Sequence, residues 1–111
     1  MKDDIVYVQH ILDAIDHIQK YTKDQDNESF LENELLQDGV IRQLEILGEA
    51  TKRISEKFRN DHPNIPFRSM AGMRDKLAHD YLGVDLEAVW ATIMTDIPDI
   101  KLKFESIFPD L

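Results

Sequence analysis

Apolar side chains recur at steps of three and four residues through most of this chain, which is the period of an amphipathic α-helix. The pattern predicts a first helix that ends near Tyr21, followed by a short helix that Ser29 or Asn27 caps. A second long helix is predicted from Val40 to Phe58. The apolar face of the first helix consists of Ile5, Val8, Ile11, Leu12, Ile15 and Ile18.

The second half of the chain is also helical in its pattern, with breaks at its prolines. Residues 62–66, His-Pro-Asn-Ile-Pro, predict the end of the long helix, and the second of these prolines begins the next helix. Asp85 is predicted to cap a further helix, and Pro98 to break or kink it, with Thr95 or Asp96 capping the last segment. No strand-like alternation appears, so we expect an all-α fold, an antiparallel bundle of four to five helices.

Length and composition predict a single helical domain over residues 1–111. The absence of cysteine excludes disulfides and thiolate metal sites, and it favours a reducing compartment, the cytoplasm. The segment Met1–Ile5 carries two acids where a signal peptide needs basic residues, and no apolar run approaches the ~20 residues of a membrane span. We therefore expect a cytoplasmic protein without a membrane segment.

Charge is distributed unevenly along the sequence. The net charge is −9, which argues against broad nucleic-acid binding. Residues 42–76, however, hold eight basic and five acidic side chains, a net charge of +3, while the rest of the chain carries −12. This distribution favours a small phosphate-contacting site over a long groove, although ordinary scatter of surface charge explains it equally well.

The candidate chemistry lies in residues 73–81, Met-Arg-Asp-Lys-Leu-Ala-His-Asp-Tyr, near the end of a predicted helix. Arg74 is a permanently charged planar group that can hold a phosphate, and His79 can transfer a proton near neutral pH. These two groups are sufficient in principle to cleave RNA without a metal ion. The structural alternatives are a solvated charge pair of Arg74 with Asp75, a helix-end charge at His79, and a core role for Tyr81.

Helical geometry constrains how these residues meet. Arg74 and His79 are five residues apart, about 140° around an ideal helix, so they do not share a face. Three arrangements remain: a distorted helix near Ala78, a long arginine that reaches around, or a meeting of the two groups across a dimer. Asp75 shares a face with His79 and can favour its protonated form, while Tyr81 lies seven residues beyond Arg74, on the same face.

Three blocks of the sequence, residues 41–53, 66–81 and 83–90, resemble the HEPN superfamily, specifically the small HepT-like toxins of prokaryotic toxin–antitoxin pairs. The resemblance implies an all-α bundle that forms a two-fold homodimer. It also implies a metal-independent endoribonuclease without a cofactor, in which Arg74 and His79 are catalytic and Asp75 is the polar residue after the arginine. The substrate is then RNA, cleaved by attack of the ribose 2′-OH to give a 2′,3′-cyclic phosphate.

The resemblance further implies a partner, a small nucleotidyltransferase antitoxin that inactivates such toxins by transferring AMP to the motif tyrosine, here Tyr81. One departure from the family pattern is Asp75, where asparagine is common, and a second carboxylate, Asp80, adjoins His79. Two acids near a phosphate site weaken RNA binding. The alternative function is therefore a catalytically weak or inactive helical module that binds the nucleotidyltransferase.

Overall fold

The computed structural model describes residues 2–79 and 85–109, and these form helices joined by short connections. The predicted all-α class is confirmed, since the described residues include no strand. The elements are α1 (Lys2–Thr22), α2 (Asn27–Glu32), α3 (Glu34–Lys52), α4 (Glu56–Asp61), α5 (Phe67–His79), α6 (Leu86–Ala91), a π-helical turn (Thr92–Asp96) and α7 (Ile97–Ile107).

Side-chain caps define the boundary between α2 and α3. Asp26, and not Ser29 or Asn27, is the N-cap of α2. Its carboxylate accepts from the Ser29 backbone N–H at 2.8 Å, and the Ser29 hydroxyl accepts from the Asp26 N–H at 2.9 Å. These reciprocal bonds form a capping box that satisfies two otherwise unpaired donors. Asn33 then caps α3 by accepting from the Leu36 N–H at 3.0 Å, so α3 begins at Glu34 rather than at Val40.

The predicted long helix through Phe58 is interrupted at Ser55, which was not expected. The Ser55 backbone N–H donates to a carboxylate oxygen of Asp4 at 2.8 Å, and its hydroxyl donates to the other oxygen at 2.7 Å. The same hydroxyl accepts from the Phe58 N–H at 3.1 Å and so caps α4. Asp4 is only 3% exposed. This contact between the start of α1 and the start of α4 is what ends the apolar helix pattern early.

Helices α1 and α3 pack antiparallel, as predicted for the bundle. One end of the pair is joined by Asp4 and Ser55, and at the other end the Tyr21 ring lies 3.5 Å from a Cβ built on Gly39. Helix α3 also packs against α5, so it lies between α1 and α5. The core side chains that are fully buried and largest are Phe30, Phe58, Phe104, Ile11, Ile15, Ile18, Leu44, Leu47, Met70, Ile93, Ile97 and Ile100.

An aromatic cluster closes one end of the bundle. Phe58 lies 6.1 Å from Phe67 and 5.9 Å from Phe108 between ring centroids. His62, the C-cap of α4, packs on Phe58 with ring centroids 4.5 Å apart and is half-buried. The cluster joins α4, the start of α5 and the end of α7 through side chains alone.

The helix that contains Pro98 neither breaks nor receives a new cap. Proline lacks an N–H, and its ring collides with the carbonyl four residues earlier in a regular α-helix. The chain widens into a π-turn over Thr92–Asp96, in which the Ile97 N–H donates to the Thr92 carbonyl five residues back. Asp96 makes no capping hydrogen bond, so the predicted cap is wrong. Helix α6, the π-turn and α7 therefore follow one another without a break.

Candidate active site on helix α5

Helix α5 carries Arg74 and His79, the candidate catalytic residues that the sequence predicts. The Pro66 carbonyl accepts the first helical bond from the Met70 N–H at 3.0 Å, so α5 begins at Phe67, one position after the predicted start at Pro66. Phe67 and Met70 are buried at 5% and 0% exposure, and Met73 packs against the core. These three side chains anchor the first two turns of α5 on the bundle and set the position of the turns that follow.

The motif residues occupy the last turns of this helix. Arg74, Asp75 and His79 have α-helical backbone, and their side chains lie outside what the structure describes. Tyr81 and Asp80 lie outside the described residues. Because α5 continues as an α-helix through Ala78 to His79, the distorted helix is excluded among the three arrangements considered. A long arginine that reaches around, or a meeting across two subunits, remains for the pairing of Arg74 with His79.

Most of the basic side chains that the structure describes within residues 42–76 are exposed. One arginine differs from the rest, because Arg59 donates from Nη2 to the Thr51 carbonyl at 2.8 Å. That bond satisfies a carbonyl at the C-terminus of α3, where a cation also interacts favourably with the helix dipole. Arg59 is therefore a structural residue. The basic side chains described as exposed in this segment are Arg42, Lys52, Arg53, Lys57 and Arg68.

A groove between α1 and α3 was not found from the sequence. It has a volume of about 520 Å³, and Tyr7 and His10 of α1 line one wall. Arg42 and Arg53 line the other wall, from α3. His10 is exposed. The spacing of the two arginines, eleven residues, was an available signal, because it puts them about 20° apart around a helix.

Within residues 2–79 and 85–109, no three His, Asp or Glu side chains are grouped so that they could hold a metal ion. In the same part of the chain, no helix combines the length and the apolar composition needed to cross a membrane.

Comparison with known proteins defines the class of this helical bundle. A family model described as ribonuclease HepT-like matches residues 11–107, and the chain belongs to that family, within the HEPN superfamily. A protein of Methanocaldococcus jannaschii named "Putative RNase MJ0125" is 46% identical over 110 residues, which cover 99% of this chain and 95% of the relative. A "Probable ribonuclease HepT" of Thermococcus cleftensis is 48% identical over 101 residues, covering 91% and 92%. No solved structure matches.

Proposed function

We propose that this protein is a metal-independent endoribonuclease with Arg74 and His79 as its catalytic residues. The observation that carries the proposal is the family match over residues 11–107, which includes the whole of α5 and therefore the Arg-x4-His motif. Two relatives matched over nearly their full length carry ribonuclease names. Helix α5 is anchored by Phe67 and Met70 in the core, which gives the motif a rigid support.

The reaction is an internal transfer at one phosphodiester. A neutral imidazole takes the proton of the ribose 2′-OH, and the 2′-oxygen bonds to the adjacent phosphorus. The bond from phosphorus to the 5′-oxygen breaks, and an imidazolium donates a proton to that oxygen. Arg74 neutralises the charge that develops on the phosphate oxygens. The products are a 2′,3′-cyclic phosphate and a free 5′-hydroxyl, and no metal ion takes part.

One motif supplies one histidine, whereas the reaction uses a base and an acid. We propose that two copies of the chain form a two-fold dimer that brings two α5 motifs together, so that one His79 is the base and the other the acid. Asp75 lies four residues before His79, one helical turn away, where a carboxylate stabilises an imidazolium. Its role is that of a positioning residue for His79.

The same proposal includes the role of the protein as a toxin and its inactivation by a partner protein. The protein acts in the cytoplasm as the toxin of a toxin–antitoxin pair, and a small nucleotidyltransferase neutralises it. The Tyr81 oxygen attacks the α-phosphorus of ATP on the partner, which forms the tyrosyl–AMP bond, releases pyrophosphate and gives up the phenolic proton. Tyr81 follows Arg74 by seven residues in the sequence, and an anionic adduct on Tyr81 blocks the phosphate position. Intact-mass measurement of the co-expressed pair tests this: we expect a mass increase of one AMP that Tyr81→Phe removes.

The test of the nuclease is direct. Purified protein without its partner is incubated with a mixed RNA pool in excess EDTA, beside Arg74→Ala and His79→Ala. We expect cleavage by the wild type, a loss of about 10²–10⁴-fold in His79→Ala, the usual range for a general acid or base, and a loss of about 10²–10³-fold in Arg74→Ala, the usual range for a group that stabilises developing charge. Matched controls are Arg68→Ala in the first turns of α5 and His17→Ala on α1, both exposed in the structure.

Three outcomes separate the possibilities. Loss of cleavage in both motif variants, with the controls active, supports the nuclease. Equal cleavage by wild type and His79→Ala overturns the assignment of the site. No cleavage by an unmodified wild type at any concentration, together with a stable complex with the nucleotidyltransferase, favours the inactive binding module, for which the net charge of −9 and the carboxylate of Asp75 argue.

A further inference from the structure

The groove between α1 and α3 has the chemistry of a nucleic-acid contact that lies apart from the α5 motif. Its volume of about 520 Å³ falls within the range of ligand-binding clefts, about 300–1,000 Å³. Exposed Arg42 and Arg53 face it from α3, and Tyr7 and His10 face it from α1. Arginine can hold a phosphate, and aromatic rings present flat surfaces on which unpaired bases stack.

The two arginines are placed to follow one strand. Arg53, the C-cap of α3, lies eleven positions after Arg42, which is about 16 Å along the helix axis with both residues on one face. At ~3.4 Å per nucleotide of a stacked strand, that span corresponds to about five nucleotides. Arg42 has a side chain 69% exposed, and its contact with Glu45 is long at 4.0 Å. Its guanidinium is therefore accessible to a ligand.

The aromatic pair Tyr7 and His10 supplies the second feature of the groove, a surface on which a base can stack. The rings of Tyr7 and His10 meet edge to face with centroids 5.9 Å apart. Tyr7 is half-buried and packs against the core, so its ring is held in place, while His10 is exposed. A fixed aromatic ring beside cations is the arrangement that binds single-stranded nucleic acid with little sequence preference.

The carboxylates of the groove limit what it can hold. Glu45 and Glu49 lie between the two arginines along α3 and line the same groove. Carboxylates repel a continuous run of phosphates, but they accept hydrogen bonds from base edges. The groove therefore suits phosphates at its two ends and bases between them, as in a short single strand.

We propose that the α1–α3 groove is an accessory site for single-stranded RNA, with Arg42 and Arg53 on phosphates and the Tyr7–His10 pair on a base. This proposal rests on the proposed function, because it assumes an RNA substrate. Helix α3 packs against both α1 and α5, so a strand held in the groove lies on the helix that supports the motif. The site raises affinity for RNA and takes no part in bond cleavage.

Binding is measured by fluorescence anisotropy with a labelled 2′-O-methyl RNA hexamer, which lacks the attacking hydroxyl and cannot be cleaved. The affinity is followed as a function of salt for Arg42→Gln and Arg53→Gln. Each lost phosphate contact reduces the slope of log K against log salt by about 0.7 for single strands. The matched control is Lys103→Gln on α7, where the lysine already pairs with Asp99 at 2.9 Å.

A second pair of variants tests the stacking. We expect Tyr7→Leu to weaken binding by about fivefold or more and Tyr7→Phe to retain it, since phenylalanine keeps the aromatic face. Thermal melting of each variant shows whether the bundle is intact. The arginine variants change exposed side chains only, so their result stands even if Tyr7→Leu destabilises the fold.

Unchanged affinity and salt slope in both arginine variants overturn the accessory site, and the motif variants then decide the nuclease separately. Altered binding in the arginine variants supports the site even if the wild type cleaves nothing, in which case only the nuclease fails. Light scattering is recorded on the same samples. If the arginine variants change the oligomeric state and leave RNA affinity unchanged, the groove is a contact between subunits and the RNA site is overturned.

Discussion

The contact between Asp4 and Ser55 carries a prediction whose size follows from its geometry. Asp4→Ala removes two hydrogen bonds to a buried carboxylate, at 2.8 and 2.7 Å, and leaves the Ser55 N–H without its acceptor. Hydrogen bonds to charged groups contribute about 1.5–3 kcal/mol each to stability. Because the two bonds share one carboxylate, their energies are not additive, and we expect a total loss of about 3 kcal/mol.

The assay is thermal and urea unfolding of Asp4→Ala beside Asp3→Ala. Both acids lie in the first turn of α1, so the two variants lose the same favourable helix-dipole charge. Asp3 is exposed, however, and its removal leaves α4 untouched. At about 4 °C per kcal/mol for a chain of this length, Asp4→Ala melts about 12 °C lower. A difference from Asp3→Ala of less than about 3 °C refutes this reasoning.

The same contact predicts a dependence on pH. Burial raises the pKa of Asp4, but the hydrogen bonds from the Ser55 N–H and hydroxyl outweigh it and leave the pKa below the ordinary value of 3.8. A carboxyl group whose folded pKa is depressed contributes stability that is complete above the unfolded pKa and is lost as pH falls through the folded pKa. The difference in melting temperature between wild type and Asp4→Ala is therefore constant near neutral pH and shrinks below pH 3.8.

Three further predictions concern the folded bundle. Phe104→Ala empties a fully buried position and lowers the free energy of unfolding by about 3–5 kcal/mol, whereas Leu102→Ala, at a side chain 67% exposed, changes it by less than about 0.5 kcal/mol in the same urea titration. Asp85→Ala removes the N-cap bond to the Ala88 N–H and costs about 1 kcal/mol, which thermal melting detects. Gly72→Ala, within α5, adds a Cβ that meets no atom within 4 Å beyond its chain neighbours and its own helix backbone, so the melting temperature rises by the equivalent of about 1 kcal/mol; a lower melting temperature contradicts this.

The sequence predicted the helices better than their ends. Apolar periodicity is a local property, so the core positions of α1 and the cap at Asp85 could be found from spacing alone. The proline break at residues 62–66 was also predicted, since α4 ends at Asp61 and α5 begins at Phe67. The starts of α2 and α3 and the interruption at Ser55 could not be predicted, because they depend on competition between neighbouring caps and on distant contacts. Asp26 forms a capping box with Ser29, and Ser55 is held by Asp4, 51 residues away in the chain.

In the candidate site, too, local features could be predicted from the sequence and features that depend on distant contacts could not. Arg74 and His79 could be found from residue type, spacing and family resemblance, and the structure adds that both lie on one unbroken α-helix. The spacing of Arg42 and Arg53 places both on one face of a helix, but the groove itself could not be predicted, because it exists only where α1 and α3 lie side by side. Periodicity indicates which face of a helix is polar, but it does not show which two polar faces meet.

Because of the π-turn, the number of residues between α6 and α7 is itself a structural constraint. A turn of this kind holds about one residue more than an α-helical turn, which offsets the angular phase of α6 against α7 by about 100°. On one side of it, Trp90 meets Phe30 with ring centroids 5.3 Å apart, and on the other side Phe104 is buried among the aromatic rings. Met94 within the turn is 49% exposed, so a substitution of its side chain does not change the angular offset between α6 and α7. Deletion of that one residue removes the extra residue of the turn, which turns Trp90 away from Phe30 and brings the Pro98 ring against the carbonyl four residues before it. This segment is therefore tolerant of substitutions but intolerant of deletions.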